Sequence, residues 1–203
     1  MYAIVEDNNI TQYINFPKSV VIGDVRYPAK IFELWSQSEK EAIGIYEIIV
    51  DKTNYKDPAY YINTNSSYTF ADGQVTESWG TATPKRLNDE NAVDEDGNNL
   101  LDDDGNQVIN YGLKTEKKRI VKQQASGLLA PTDWYVIKAN EVSDYNVPEN
   151  ITTFRSDVRA KSNEMETQID ACTNVDELKA LYEYTEQEDG TITRPLAEFP
   201  EEI

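Results

Sequence analysis

No histidine occurs anywhere in the sequence, and cysteine occurs once, as Cys172. The first absence removes the commonest general base and the commonest metal ligand together. Ser-His-Asp, Cys-His and His-metal sites are therefore excluded within the chain. A lone cysteine excludes a disulfide framework and a thiolate zinc site. Cys172 is expected to pack as a small apolar residue at a helix end. Positive charge is scarce: 19 Lys and Arg stand against 37 Asp and Glu, a net charge of −18. Such a chain repels nucleic-acid phosphates and anionic membrane surfaces, so neither is expected as a partner. The one basic cluster, Lys114, Lys117, Lys118, Arg119 and Lys122, has helical spacing and reads as a solvated face. Long apolar runs are missing too. Met1 leads straight into Tyr2-Ala3-Ile4-Val5, which predicts neither a signal peptide nor a membrane span.

What is present begins with β signals. Tyr2–Val5 and Ile10–Ile14 flank Glu6-Asp7-Asn8-Asn9, the pattern of a hairpin with turn chemistry between its strands. Val20–Ile22 is a further strand, and Arg26-Tyr27-Pro28 breaks the pattern after it. Ile31, Leu34 and Trp35 follow at helical spacing. Ser36 with Glu39 three residues later, or Ser38 with Glu41, forms a capping box. Gly44 suits the left-handed end of that short helix. Ile45–Val50 is nearly continuous in apolar residues and reads as a strand buried on both faces. Tyr60–Phe70 and Gln74–Trp79 alternate as strands around an Asp72-Gly73 hairpin turn. Their aromatics, Tyr60, Tyr61, Tyr68, Phe70 and Trp79, are expected to pack across strands. A carbohydrate- or protein-binding face is the weaker reading.

Residues 88–107 are strongly acidic. Asp94-Glu95-Asp96-Gly97-Asn98 recurs eight residues later as Asp102-Asp103-Asp104-Gly105-Asn106. Hard cations seek such oxygen-rich segments, so calcium is the one cofactor that suggests itself. The EF-hand spacing fails: with Gly97 or Gly105 at the glycine position, the first ligand position holds Ala92 or Leu100. Two successive Asp-Gly hairpin turns account for the repeat better. No other cofactor is indicated.

The second half carries helical spacing. Leu113, Ile120, Val121, Leu128 and Leu129 line one side of a helix that Pro131 ends. Thr132-Asp133-Trp134 is read as a tight corner with Trp134 buried and with Tyr135 and Ile137 continuing its apolar strip. Truncating a buried Trp134 would cost roughly 3–5 kcal/mol. Pro148 fits the first turn of the longest helix, from Glu149 to Cys172. Ile151, Phe154, Val158, Met165, Ile169 and Cys172 form its apolar face. That face is expected to pack on the preceding helix, or alternatively to self-associate as a homo-oligomer bundle. A last helix starts after Thr173 or Asn174 and is predicted to run to about Tyr184. The acidic tail 186–203, taken alone, reads as disordered unless neighbours hold it.

The corner also carries a resemblance. Leu128, Leu129, Thr132, Asp133 and Trp134, then Pro148, then Phe154-Arg155 and Val158-Arg159, resemble the C-terminal region of tail-assembly-chaperone-like and tail-fibre-associated proteins of tailed bacteriophages, in particular those of marine phages. Phe154 stands where tyrosine is usual, and the tryptophan often found before the second helix is missing. The segment from Tyr27-Pro28 through Trp35-Ser36 to Gly44-Ile45-Tyr46 is similar to one near the N-terminus of such proteins. The resemblance implies tail biology: a virion protein of the tail, fibre-associated or an adaptor, made in the host cytoplasm, with other phage tail proteins as partners. It equally implies the alternative of a non-virion tail or tail-fibre assembly chaperone.

The sequence therefore predicts an α+β fold. Residues 1–111 form an antiparallel β-rich docking domain with hairpins, one short helix and the acidic turns. Residues 112–185 form a helical module, and 186–203 a tail. Carboxylate pairs lie in solvated turns, where nothing apolar separates their pKa values, so no catalytic residue emerges and the chain reads as non-enzymatic. Trp134, Tyr135, Ile151, Phe154, Val158, Met165 and Ile169 are the candidate interface or core residues.

Overall fold

The computed structural model describes residues 1–202 and has the expected α+β character. The chain divides into two compact units, residues 1–83 and the remainder from Pro84.

In the first unit, β1 (Tyr2–Glu6) and β2 (Asn9–Ile14) form the expected hairpin. Asp7 and Asn8 both take positive φ, 50° and 63°. That is the twist-matched turn for which Asn and Asp are suited. β3 (Val20–Ile22) pairs with β4 (Val25–Tyr27), so Arg26-Tyr27 continues a hairpin rather than breaking the pattern. Short helices α1 (Ile31–Leu34) and α2 (Gln37–Glu41) follow. The Ser36–Glu39 capping box forms: Glu39 N–H donates to Ser36 Oγ, and Ser36 N–H donates back to the Glu39 carboxylate at 2.8 Å. Gly44 has φ 84°, and a Cβ there would lie 2.6 Å from the Val5 carbonyl oxygen. Only glycine meets both demands.

The main sheet adds β5 (Ile45–Asp51), β7 (Ser66–Ala71) and β8 (Gln74–Trp79), in the order β2-β1-β5-β8-β7. β6 (Tyr61–Ile62) and β9 (Thr83–Pro84) are short. The Asp72-Gly73 turn reverses the chain as predicted, again with positive φ at both residues. β8 then inserts between β5 and β7 and runs parallel to β5, the one parallel pair in the sheet. Alternation along β1 sends Ala3 and Val5 into a cluster with Ile48 and Val75, and Ile4 into another with Ile14, Val20, Ile31, Phe32 and Ile45. Two of the named aromatics pack across strands, Phe70 on Tyr46 at 4.8 Å and Tyr68 of edge strand β7 on Tyr13 of edge strand β2 at 4.7 Å, whereas Trp79 meets Tyr55 of the preceding loop at 5.2 Å. The Tyr13–Tyr68 pair joins the two edges of the sheet. β5 departs from the expectation of burial on both faces. Ile45 and Ile48 are buried, but Ile49 and Val50 are about half exposed, at 49% and 47%. Ile49 and Val50 point to opposite faces, so the strand's C-terminal end is incompletely covered on both sides.

In the second unit, β10 (Glu90–Asn91) pairs with β11 (Ile109–Asn110) and leads into α3 (Leu113–Leu129). A 3₁₀ turn (Ala130–Thr132), α4 (Asp133–Glu141), α5 (Glu149–Ala171) and α6 (Val175–Ala180) follow. The expected break at residue 111 thus falls inside a unit. Leu113 N–H donates to Arg86 C=O, and Asp89 binds both Gly112 and Thr115, so the acidic segment is tied to the start of α3. The tail is also structured. β12 (Thr185–Glu186) and β13 (Ile192–Thr193) form a hairpin, Leu196 is 2% exposed, and Phe199 packs against α3 and α5. Its disorder was predicted from acidity and prolines, which do not register two well-placed apolar residues. α6 ends at Ala180, four residues short of expectation.

Candidate functional site

The acidic repeat builds a small three-armed hub. Leu100 N–H donates to Ala92 C=O, Val108 N–H to Leu100 C=O, and Ala92 N–H to Val108 C=O, at 2.8–2.9 Å, closing a ring. The eight-residue period places these three backbones in equivalent positions. From the ring run two turns, bridged at Val93–Asn99 and Leu101–Gln107, and the β10–β11 pair by which the chain enters and leaves. The Gln107 side chain closes the centre: its Nε2 lies 2.9, 3.2 and 2.8 Å from the carbonyl oxygens of Ala92, Leu100 and Val108. At the tips, Asp94 Oδ1 accepts Asp96 and Asn98 N–H, and Asp102 Oδ1 accepts Asp104 and Asn106 N–H, with the same distances of 3.0 and 2.8 Å. The N–H of Asn98 and of Asn106, foremost, holds these two carboxyls below their usual range. The turns therefore spend their first carboxylates on their own backbone. Among the described residues, no group of three or more His, Cys, Asp or Glu is disposed to hold a metal ion.

The corner after α3 is built around Arg155, not Trp134. Arg155 is 9% exposed. Its Nη1 donates to Leu129 C=O at 3.0 Å and to Thr132 Oγ1 at 2.5 Å, and pairs with Asp133 Oδ1 at 2.8 Å. The 3₁₀ turn around Pro131 leaves these acceptors converging on one guanidinium nitrogen, which takes all three. Trp134, expected in the core, is 50% exposed on α4. It stacks on Tyr135 at 3.8 Å, and Lys138 lies 5.8 Å from its ring. The chain continues as helix instead of turning sharply at Thr132-Asp133, so Trp134 swings to the outer side. α4 has no buried residue, and Val136, Ile137 and Val142 are exposed with Trp134.

Ile151, Phe154, Val158, Met165, Ile169 and Cys172 are all buried. Phe154 and Val158 pack with Ala125 of α3, partly covered by Leu128 and Leu129. The long helix thus spends its apolar face inside the unit, which leaves little of it for a bundle of copies. Cys172 is packed as expected, and burial pushes its thiol up. The basic cluster faces solvent in part: Arg119 and Lys122 are exposed, Lys122 pairing with Glu166 at 3.2 Å, while Lys118, half-buried, pairs with Asp170 at 2.8 Å and Lys117 lies over the Tyr182 ring. Arg155, Gln107, Asp89 and Gln168 are the positioning residues that periodicity misses, because most of their partners, backbone and side-chain alike, are distant in sequence.

No family model matches the chain, and no curated protein or solved structure shows significant similarity to it. Among the described residues, no helix is long and apolar enough to cross a membrane.

Proposed function

We propose that this chain is a non-enzymatic virion protein of a bacteriophage tail, a fibre-associated or adaptor component that works through protein contacts. One observation carries the reading. The residues that resemble tail-associated proteins converge on one corner: Arg155 gathers Leu129, Thr132 and Asp133, and Trp134 projects outward on a helix with no buried face. A corner braced from within that presents aromatic and aliphatic side chains suits docking to another tail protein, since exposed Trp and Tyr are favoured interface anchors. The net charge of −18 disfavours nucleic acid as that partner.

Mass spectrometry of purified particles tests the reading. A fixed, small copy number in the tail supports it. Synthesis during infection without incorporation favours the second reading, an assembly chaperone for the tail or its fibres. The same exposed α4 face would then cover a partner only transiently.

A further inference from the structure

The last residues of the chain lie along α5 and are held there by their backbone. Gln168 grips them with both ends of its amide: Nε2 donates to Pro195 C=O at 3.0 Å, and Oε1 accepts Ala197 N–H at 2.8 Å. Between those groups Leu196 is buried, and its own N–H donates to Leu181 C=O at 3.0 Å. Three residues on, Phe199 packs against Ala125, Phe154 and Val158. These hydrogen bonds use only main-chain atoms of the tail. Any open backbone offers the same groups, and side-chain selection falls to the two apolar residues. Proteins recognise extended peptides by this division of labour.

The tail fills its groove incompletely. A cavity of about 100 Å³ remains between Leu128, Pro131, Phe154 and Glu202. An open groove of about 490 Å³ runs along Glu149, Phe154, Asp157 and Glu201. Glu201 there shares a groove with Glu149 and Asp157, so like charges crowd the end of the tail. The hairpin that connects the tail to α6 is exposed from Glu183 to Thr193, so the contacts that lifting the tail breaks are chiefly those of Leu196, Phe199 and Gln168.

The geometry points to a peptide-docking groove along α5, flanked by the end of α6 at Leu196 and by α3 at Phe199, whose resident occupant is the chain's own segment 194–202. Its exchangeable ligand is an open-backbone segment of a partner protein, with an aliphatic residue, an aromatic three residues later, and a basic residue where this chain has Glu201. The basic residue answers Glu149 and Asp157, which the resident tail cannot do. The groove requires no virion role.

Fluorescence anisotropy of a labelled peptide copying residues 194–202, titrated with the full-length protein, tests this. The doubly substituted chain Leu196→Gln/Phe199→Ala, whose own tail no longer seats, should bind the peptide at least about ten-fold more tightly than wild type, because a tethered competitor acts at millimolar effective concentration. A peptide carrying Glu201→Lys should bind more tightly still, with the gain lost at about 0.5 M salt. Gln168→Leu added to the double variant should abolish binding. No binding to a double variant that remains helical would overturn the proposal. If that variant does not fold, hydrogen exchange of the wild type decides. Leu196 and Ala197 amides exchanging at least about 100-fold faster than the buried amides of α5 support release, and equal rates overturn it.

Discussion

Arg155 brings its charge into a site where it meets two neutral acceptors and one half-exposed carboxylate, Asp133. Removing the side chain leaves the Thr132 oxygen and the Asp133 carboxylate without this donor, leaves Leu129 C=O with only the Thr132 hydroxyl at 2.7 Å, and empties the space beside Leu129. Arg155→Ala is therefore expected to destabilise the second unit by about 2–3 kcal/mol, the range for hydrogen bonds to a charged group. Trp134→Ala, in contrast, should cost only about 1 kcal/mol, because half of the ring is already in water. Urea unfolding followed by far-UV circular dichroism separates the two, and the order reverses if Trp134 rather than Arg155 holds the corner. Asp89 works at the same scale. Gly112, before the first residue of α3, has no side chain to cap it, so Asp89 accepts Gly112 N–H at 2.7 Å and Thr115 Oγ1 at 2.8 Å. That N–H, foremost, holds the Asp89 carboxyl below the usual carboxylate range. Its folded pKa is depressed, so its contribution is complete above the unfolded value of about 4 and is lost as pH falls through the folded value. Asp89→Ala should lower Tm at pH 7, and the deficit should disappear in strong acid. A deficit independent of pH would deny the carboxylate this role.

Among the elements, the acidic hub depends on repetition. Two eight-residue units place three backbones in a ring, and one amide, that of Gln107, spans all three carbonyls. Each carbonyl keeps a backbone donor if Gln107 is lost. Gln107→Leu should thus weaken the hub by about 1–2 kcal/mol, a typical net value for side-chain hydrogen bonds. Limited proteolysis provides the check: cleavage between residues 93 and 107 should speed up while α3 and α5 stay protected. The repeat itself was legible in the sequence, as were both turns. The ring was not, because the closing of two turns and the β10–β11 pair on one another is set by hydrogen bonds across the repeat, not within it.

For the whole molecule, 18 uncompensated negative charges act against compaction. Raising ionic strength from about 0.01 M to about 0.5 M shortens the screening length severalfold. Tm at pH 7 should rise with it, and differential scanning calorimetry over a salt series would show this. A falling Tm would mean that ion pairs such as Lys118–Asp170 and Lys122–Glu166 outweigh the general repulsion. The charge is also the reason the tail reads as disordered in isolation, although Leu196 and Phe199 seat it in the folded chain.

Local periodicity and turn chemistry were enough to define the first hairpin, a capping box at Ser36 or Ser38, the Asp72-Gly73 turn, the twin acidic turns and the apolar face of α5. Each depends on residues within a few positions of one another, where sequence spacing and spatial spacing coincide. The tertiary structure alone decided the parallel insertion of β8 beside β5, the grouping of the acidic segment with the helices, and the docking of the tail. It also decided the exchange of roles between Trp134 and Arg155. Those outcomes rest on which distant backbone acceptors a side chain can reach. Hydrophobicity selected Trp134 for the core, but the buried position went to Arg155, whose Nη1 reaches the Leu129 carbonyl, the Thr132 hydroxyl and the Asp133 carboxylate that the turn around Pro131 brings together.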